Sequence, residues 1–137
     1  MRVNSIKIKN LEIIKNKKGD IIKFLKKKDN LFKGFGEIYF SEIYSKQKKG
    51  WNFHKKNTCL ISVPFGNVSF KIFNPLKKKM TSIVINKKNQ KIIQIPPRNW
   101  FMFYSKAKKS LVVNLMNKPH LKSETIKSNE VNGIKIK

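Results

Sequence analysis

The segment 49–59, KGWNFHKKNTC, places an amide, a histidine and a thiol among lysines and aromatic residues. Asn52 and His54 are two positions apart, so in a β-strand their side chains share one face. Histidine is suited to general acid–base chemistry, because its pKa lies near neutral pH. Lysines interleaved with aromatics are also typical of nucleic-acid-binding patches. The segment therefore indicates either an active-site strand or a basic binding surface.

Strand-like patterns on both sides of this segment must position these side chains. Short runs rich in Ile, Val, Phe and Tyr recur roughly every 8 to 14 residues. Val68, Phe70 and Ile72 alternate with polar residues, which is typical of a sheet with one buried face. The predicted strands cover residues 6–14, 20–25, 35–44, 58–65, 67–73, 81–85, 91–95, 100–104 and 110–115. This pattern predicts an all-β jelly roll or small barrel, closed to protect its edges.

The chain is strongly basic, with a formal net charge of +25 from 32 Lys or Arg residues and 7 acidic residues. Such a charge is typical of proteins that bind nucleic acids. However, only Arg2 and Arg98 are arginine, whereas proteins that read phosphates and bases favour arginine's bidentate fork. Lysine, asparagine and isoleucine share A/T-rich codons, so a genomic base bias explains their excess. Nucleic acid binding is therefore the less favoured class.

Length and cysteine content limit the organisation of the chain. The 137 residues fit one domain, 1–137, with a polar, loosely ordered tail over 121–137 that includes one short strand at 133–136. A single cysteine, Cys59, excludes an intramolecular disulfide and a Cys-rich zinc site. We see neither a secretory signal nor an apolar run of membrane-spanning length. These features favour a cytoplasmic protein.

Three stretches, in this order, carry a family resemblance: GEIYFSEIYSKQKKGWNFHKKNT, IQIPPRNWFMF and SLVVNLMNKPH. Together they resemble the dTDP-4-dehydrorhamnose 3,5-epimerases, cupins that epimerise nucleotide-linked 4-keto sugars. The resemblance covers residues 36–120. It implies a cupin-type jelly roll that uses no cofactor and forms a homodimer by strand exchange. It also implies a nucleotide-sugar substrate that serves surface-polysaccharide synthesis.

The resemblance also shows where this chain departs from the family. Four side chains hold the metal in metal-using cupins, and of these only His54 is present here. Cys59 stands at the position of the metal-binding acid. Cys59 also falls near the position of the epimerase family's active-site lysine. Two ligands from one strand do not complete a zinc or iron site, so no metal is predicted. The family's base histidine falls on Asn52, an amide without useful basicity. Its acid, a tyrosine, aligns with His120, and its second pocket histidine aligns with Phe101.

The same alignment implies substrate-binding roles for five residues: Lys49, Asn52, Cys59, Arg98 and Phe101. Lys49 stands where the family has a phosphate-binding arginine, so we expect it to contact the diphosphate. Arg98 replaces a turn glycine, so we expect it to avoid positive φ and to project over the pocket mouth. A carboxylate partner for the pocket histidine is expected at Glu42 or Glu130.

Three interpretations of the pocket stay open. In the first, His54 takes over as base and His120 is the opposing acid, which gives a variant epimerase or isomerase. In the second, the pocket binds a nucleotide sugar without turnover, and Asn52 hydrogen-bonds the sugar. The third is a degenerate cupin that serves as a scaffold subunit. The structural alternatives are a hydrogen-bonded core histidine at 54, a surface histidine at 120 and a small buried hydrophobe at Cys59.

Overall fold

The structure is a computed structural model that describes residues 5–136. Its regular elements are almost all β-strands, which confirms the all-β prediction. The strands are β1 (Lys7–Asn10), β2 (Glu12–Ile14), β3 (Ile21–Lys23), β4 (Glu37–Tyr44), β5 (Lys48–His54), β6 (Cys59–Phe65), β7 (Asn67–Asn74), β8 (Lys79–Asn86), β9 (Lys91–Ile95), β10 (Trp100–Ser105), β11 (Lys109–Met116), β12 (Thr125–Lys127), β13 (Glu130–Val131) and β14 (Ile134–Lys135). A short 3-10 helix over Lys122–Glu124 precedes β12.

Two five-stranded antiparallel sheets face each other. The first has the order β1-β9-β6-β11-β4 and the second has the order β12-β5-β10-β7-β8, while β2–β3 and β13–β14 form separate hairpins. The chain crosses from the first sheet to the second at Gly66, where φ is +100°. A Cβ added at Gly66 would overlap the backbone and side chain of Ser110. Glycine is therefore required at this crossing.

The main apolar core lies between the two sheets. Val68, Phe70 and Ile72 alternate along β7 and are buried in it, as their spacing predicts. Ile61 and Val63 of β6 enter the same core from the other sheet. Each fully buried aliphatic or aromatic side chain stabilises the fold by roughly 1.5–3 kcal/mol. Apolar burial therefore holds together the two sheets that carry the polar side chains near the end of β5.

Two smaller apolar clusters cover the outer faces of the sheets. Leu31, in the segment before β4, packs against apolar side chains of β6 and β11. On the other side, Trp51 of β5 is fully buried and packs with Val131. The indole Nε1 of Trp51 donates a 2.9 Å hydrogen bond to the carbonyl of Ile134. The β13–β14 hairpin is thus anchored to the back of β5.

The predicted strands and the tail had different outcomes. Each of the nine predicted strands has a counterpart, although the predicted strand 6–14 is divided into β1 and β2. The expectation of a loosely ordered tail over 121–137 was wrong, because its described part contains the 3-10 helix, β12 paired with β5, and the β13–β14 hairpin. Strand β12 is held by its pairing with β5, and the β13–β14 hairpin also packs Val131 and Ile134 against the Trp51 cluster. Within the described chain, none of the helices has the length and apolar character needed to cross a membrane.

Candidate active site

Polar side chains interrupt the core near the end of β5. Asn52 and His54 lie on the inner face of β5, beside Phe101 of the neighbouring strand β10. In the other sheet, Tyr39 of β4 is directly paired with Asn114 of β11. Because alternate residues of a strand share a face, the spacing of Asn52 and His54 brings both toward the interior.

His54 and Glu124 form a buried pair. Nδ1 of His54 lies 2.7 Å from Oε1 of Glu124, and the two residues are only 5% and 7% exposed. Oε2 of Glu124 accepts 3.0 Å hydrogen bonds from the backbone N–H groups of Lys56 and Asn57. Burial by itself raises the pKa of Glu124, but the hydrogen bonds from His54 and from the two backbone groups outweigh it and lower the pKa to about 2. Glu124 is therefore an anion at neutral pH.

The Glu124 carboxylate determines which nitrogen of His54 carries the proton. An ionised carboxylate only accepts hydrogen bonds, so Nδ1 of His54 is the donor. In the neutral ring, Nε2 is then the nitrogen with a free lone pair. The Oγ1 of Thr125 donates to Oε1 of Glu124 at 3.1 Å, which adds a further donor to the carboxylate. This arrangement can remove a proton from a bound molecule at Nε2 and stabilise the resulting imidazolium.

The tail places Glu124 against β5. Glu124 ends the 3-10 helix, and Thr125, the first residue of β12, is directly paired with His54. The backbone N–H of Lys55 donates to the carbonyl of Glu124 at 2.9 Å. The side-chain amide of Asn57 donates to Oε1 of Glu124 at 3.3 Å. The pair is therefore fixed by backbone pairing and by an amide, although its members are 70 positions apart in the chain.

The carboxylates expected from the sequence are not the partner of His54. Glu42 is exposed on β4 and pairs with Lys109. Glu130 is exposed on the outer β13–β14 hairpin. The expectation was therefore wrong. Glu124 was missed because the lysine-rich segment around it has no apolar periodicity, and only its pairing with β5 buries it.

The structure brings His120 next to His54. The ring centroids are 6.4 Å apart and the rings are edge-on, at 81°. His120 is exposed, and its backbone N–H donates to Oε1 of Glu37 at 2.9 Å. Oδ1 of Asn57 accepts from the backbone N–H of Lys118 at 2.9 Å, which holds the same loop. The two histidines proposed from the sequence thus lie at one site, one buried and one open to solvent.

Tyr39 is a candidate that the sequence reasoning missed. Nδ2 of Asn114 donates to the Tyr39 hydroxyl at 2.9 Å. Burial raises the pKa of Tyr39 above its ordinary value of 10, so the phenol keeps its proton at neutral pH and can donate it. The available signal was alternation along GEIYFSEIY, which places Tyr39 on the same face as the buried Ile43.

Cys59 and Asn52 differ in what they can offer to a ligand. Cys59 is 1% exposed, and burial raises the pKa of its thiol to about 12, against the lowering effect of a hydrogen bond with Asn114. This burial favours the small-hydrophobe interpretation of Cys59 over substrate binding. Oδ1 of Asn52 is enclosed and has no hydrogen-bond partner among residues 5–136. Asn52 therefore has an acceptor available for a donor group.

Lys49 links the two strands that border the pocket. Its Nζ donates to Oγ of Ser41 at 2.7 Å and to the carbonyl of Glu42 at 2.6 Å. Lys49 belongs to β5, whereas both acceptors belong to β4. Lys49 therefore carries a positive charge across the gap between the two sheets, on the strand of His54.

Arg98 and Phe101 surround His54 from the neighbouring turn and strand. The expectation that Arg98 avoids positive φ was wrong, because its φ is +69°. Its side chain is exposed, and its backbone N–H donates to the carbonyl of His54 at 2.8 Å, which helps to hold the turn in this conformation. The Phe101 ring is stacked on the His54 ring, with centroids 6.0 Å apart. Phe101 thus forms an apolar wall for the imidazole.

The donor groups near His54 do not assemble into a metal site. Within residues 5–136, no group of three or more His, Cys, Asp or Glu side chains is arranged to hold a metal ion. The Nδ1 of His54 is occupied by its bond to Glu124. The expectation of a site that needs neither metal nor cofactor stays a prediction from the sequence.

Two facing antiparallel sheets with a polar pocket between them define a cupin-type jelly roll, and solved structures confirm this class. A dTDP sugar isomerase from Desulfovibrio desulfuricans G20 is 26% identical, with a TM-score of 0.87 over 92% of this chain and 85% of that chain. A dTDP-6-deoxy-D-glucose-3,5-epimerase from Legionella pneumophila, in complex with dTDP-4-keto-L-rhamnose, is 14% identical, with a TM-score of 0.82 over 93% and 74%. The sugar 3,4-ketoisomerase QdtA from Thermoanaerobacterium thermosaccharolyticum, in complex with TDP, is 18% identical, with a TM-score of 0.76 over 88% and 86%.

The chain belongs to the WxcM-like, C-terminal family, whose model, FdtA, matches residues 4–131. No curated protein matches the chain. The similar solved structures include epimerases and ketoisomerases of dTDP-linked sugars. The resemblance to nucleotide-sugar epimerases that the sequence indicates is therefore confirmed. The chain is also similar in structure to isomerases of such sugars.

Proposed function

We propose that this protein transfers a proton at a carbon next to the ketone of a nucleotide-linked 4-keto-6-deoxy sugar, as an epimerase or isomerase. The observation that carries the proposal is the buried His54–Glu124 pair at 2.7 Å on the inner face of the barrel. Proteins of similar fold that act on dTDP-linked sugars support the choice of substrate. The product would serve surface-polysaccharide synthesis in the cytoplasm.

His54 is the base in this proposal. Its Nε2 accepts the proton of the C–H bond beside the ketone, and the electron pair of that bond moves toward the ketone oxygen to give an enolate. Glu124 holds Nδ1 and stabilises the imidazolium that forms. A positioned general base contributes typically about 10²–10⁴-fold to such a step.

Tyr39 and His120 are the proposed proton donors on the other side of the substrate. The protonated Tyr39 phenol can donate to the enolate oxygen, and His120 is open to the mouth of the site. Return of a proton to the opposite face of the same carbon gives an epimer. Return to the neighbouring carbon, with a proton shift between the two oxygens, moves the ketone and gives an isomer.

Lys49 and Asn52 are the proposed binding residues. The Lys49 ammonium is an adequate point charge for a diphosphate. The unpartnered Oδ1 of Asn52 can accept from a sugar hydroxyl. Arg98 and Phe101 border the same region, and Phe101 supplies an apolar wall.

Deuterium exchange tests the proposal. When dTDP-4-keto-6-deoxyglucose is incubated with the protein in D₂O, deuterium is expected to enter the sugar at the carbon beside the ketone. NMR measures this incorporation. His54→Gln is expected to reduce the exchange rate at least about 100-fold. His120→Gln is the matched variant and is expected to retain exchange while product forms more slowly. Exchange that survives in His54→Gln would show that another group is the base.

A second candidate function is binding of the nucleotide sugar without turnover. It is favoured by the sequence resemblance, which puts Asn52 at the position of the family's base histidine. In that case the sugar nucleotide raises the melting temperature of the protein, but no deuterium is incorporated. If duplex DNA binds more tightly than the sugar nucleotide, with a steep salt dependence, both candidates fail.

We also propose a homodimer. Strand β4 is an edge of the first sheet, and Phe40 and Tyr44 on it are 65% and 60% exposed. Unpaired edges and exposed aromatics are commonly covered by a second subunit. Light scattering of the full chain is expected to give twice the chain mass of 16.1 kDa, and a monomer at micromolar concentration would contradict this.

A further inference from the structure

A second concave site lies at the other end of the barrel. Strand β6 runs from Cys59, near the His54 pair, to Phe65, which lines a cavity of about 1190 Å³. At about 3.3 Å per residue, seven residues separate the two regions by roughly 20 Å. The β2–β3 hairpin forms one side of the cavity, and the turns that join β6 to β7, β8 to β9 and β10 to β11 form the other.

Lysine side chains without carboxylate partners surround this cavity. Lys17 lies on the hairpin turn, Lys87 and Lys88 lie on the β8–β9 turn, and Lys108 precedes β11. None of these four makes a salt bridge within residues 5–136. Asp20 also lines the cavity, but it already accepts hydrogen bonds from other groups, including a lysine outside the lining. A concave surface with unpaired cations concentrates positive potential and attracts anions.

The walls between these lysines are apolar. Ile13 and Ile22 are a cross-strand pair of the hairpin and are its more buried face. Phe65 is 63% exposed, so its ring is available to a flat ligand. Gln90 is 5% exposed and lines the cavity; its Nε2 donates to the carbonyl of Val63 at 3.1 Å, whereas its Oε1 has no partner among the described residues.

We propose that this cavity binds a nucleoside polyphosphate. The lysines neutralise the phosphates, the base lies against the apolar wall that includes Phe65, and the buried Oε1 of Gln90 is an acceptor for an N–H group of the base. The cavity volume of about 1190 Å³ is somewhat above the range of about 300–1,000 Å³ that is usual for small-molecule sites, so the cavity is large enough for a nucleotide. This binding is independent of the function proposed for the His54 pair.

Titration calorimetry with ATP and its two halves tests the proposal on the full chain. ATP is expected to bind at least about tenfold more tightly than inorganic tripolyphosphate, and adenosine is expected to bind more weakly than both. The double variant Lys87→Ala/Lys88→Ala is expected to weaken ATP binding at least about tenfold. The matched control, Lys77→Ala/Lys79→Ala, removes the same charge from the β7–β8 turn at the opposite end and is expected to leave binding unchanged.

Two further variants separate this cavity from the rest of the surface. Phe65→Ser is expected to weaken ATP binding several-fold without changing the binding of tripolyphosphate. Lys55→Ala, which follows β5 at the His54 end of the barrel, is expected to leave ATP binding unchanged. Equal affinity for ATP and tripolyphosphate, equal effects of the two double variants, or displacement of ATP by duplex DNA would each show a non-specific basic surface and overturn the proposal.

Discussion

Glu124 and Asp20 are carboxylates at opposite ends of one barrel, and their surroundings differ. Glu124 is buried and accepts hydrogen bonds from His54 and from two backbone N–H groups. Asp20 is exposed at the start of a hairpin strand, where it bonds Lys15 and the backbone of Asn16. Glu124 is paired with His54, whereas Asp20 lines a cavity in which lysines outnumber the carboxylate.

This difference illustrates two roles of charged side chains in a basic protein: orienting a neighbouring group and attracting anions. A buried, paired carboxylate holds an imidazole in one orientation, which proton transfer requires. Exposed, unpaired ammonium groups hold no fixed geometry, but they attract anions over several ångströms. The net charge of +25 belongs to the whole chain, so it does not by itself distinguish the two regions.

The largest effect is expected from removing the buried charge. Glu124→Gln keeps the size of the side chain but loses the charge-assisted hydrogen bond to His54, so it is expected to lower the free energy of unfolding by on the order of 3 kcal/mol. It is also expected to slow deuterium exchange at least about 100-fold. The control, Glu42→Gln, removes an exposed carboxylate and is expected to change stability by less than about 1 kcal/mol in denaturant titrations. Equal losses of stability in Glu124→Gln and Glu42→Gln would show that the buried pair contributes no more than an exposed carboxylate.

Acid is expected to remove the same stabilisation in the wild-type protein. The pKa of Glu124 is lowered from 4.5 to about 2, so its contribution is full above pH 4.5 and is lost as the pH falls through 2. The difference in unfolding free energy between wild type and Glu124→Gln is therefore expected to narrow between pH 5 and pH 2. A difference that is the same at both pH values would contradict the low pKa.

Tyr39→Phe tests the proposed donor. Loss of the hydroxyl is expected to slow product formation roughly 10–100-fold, with little change in the melting shift caused by the sugar nucleotide. It also removes the partner of the Asn114 amide, at a cost of about 1 kcal/mol. Tyr44→Phe is the matched control, because Tyr44 is 60% exposed on the same strand. Full activity in Tyr39→Phe would assign the donor role to His120.

Lys49→Ala is expected to have a smaller effect that is confined to binding. Loss of one charge contact to a diphosphate is expected to raise the KM for the sugar nucleotide roughly tenfold and leave kcat nearly unchanged. Lys55→Ala, which removes an exposed lysine beyond the end of β5, is the control. A fall in kcat without a change in KM would place Lys49 in the chemical step.

The smallest effect is expected at Cys59. Its thiol is enclosed and has a pKa of about 12, so a disulfide reagent at pH 8 is expected to label the native protein at least about 100-fold more slowly than the denatured protein. Mass spectrometry of the intact chain follows the reaction. Rapid labelling of the native protein would show that the Cys59 thiol is accessible to solvent, which would contradict its burial in the core.

The alternation of apolar and polar residues was sufficient to predict most of the barrel. Val68, Phe70 and Ile72 are typical, because burial between the sheets follows directly from a period of two. The same period put Asn52 and His54 on one face. The resemblance to nucleotide-sugar epimerases added the pocket, since it rests on the order of several short motifs rather than on composition.

Neither the pairing of Glu124 with His54 nor the positive φ of Arg98 could be predicted from alternation or from the family resemblance. The segment around Glu124 is polar, and its burial depends on pairing between β12 and β5, which a single sequence does not reveal. Arg98 occupies a backbone conformation that favours glycine, and its bond to the carbonyl of His54 is a tertiary contact. Contacts between distant segments therefore decided the details of the site, whereas local patterns decided the fold.

The 70-residue separation of His54 and Glu124 has a consequence for biosynthesis. At about 5–20 residues per second, a ribosome adds Glu124 roughly 4 to 14 seconds after His54. During that interval the emerging β5 has neither its carboxylate nor the β12 strand that covers its outer edge. Strands β5 to β11 are synthesised before Glu124 is, so the His54–Glu124 pair is among the last features of the nascent chain that can form.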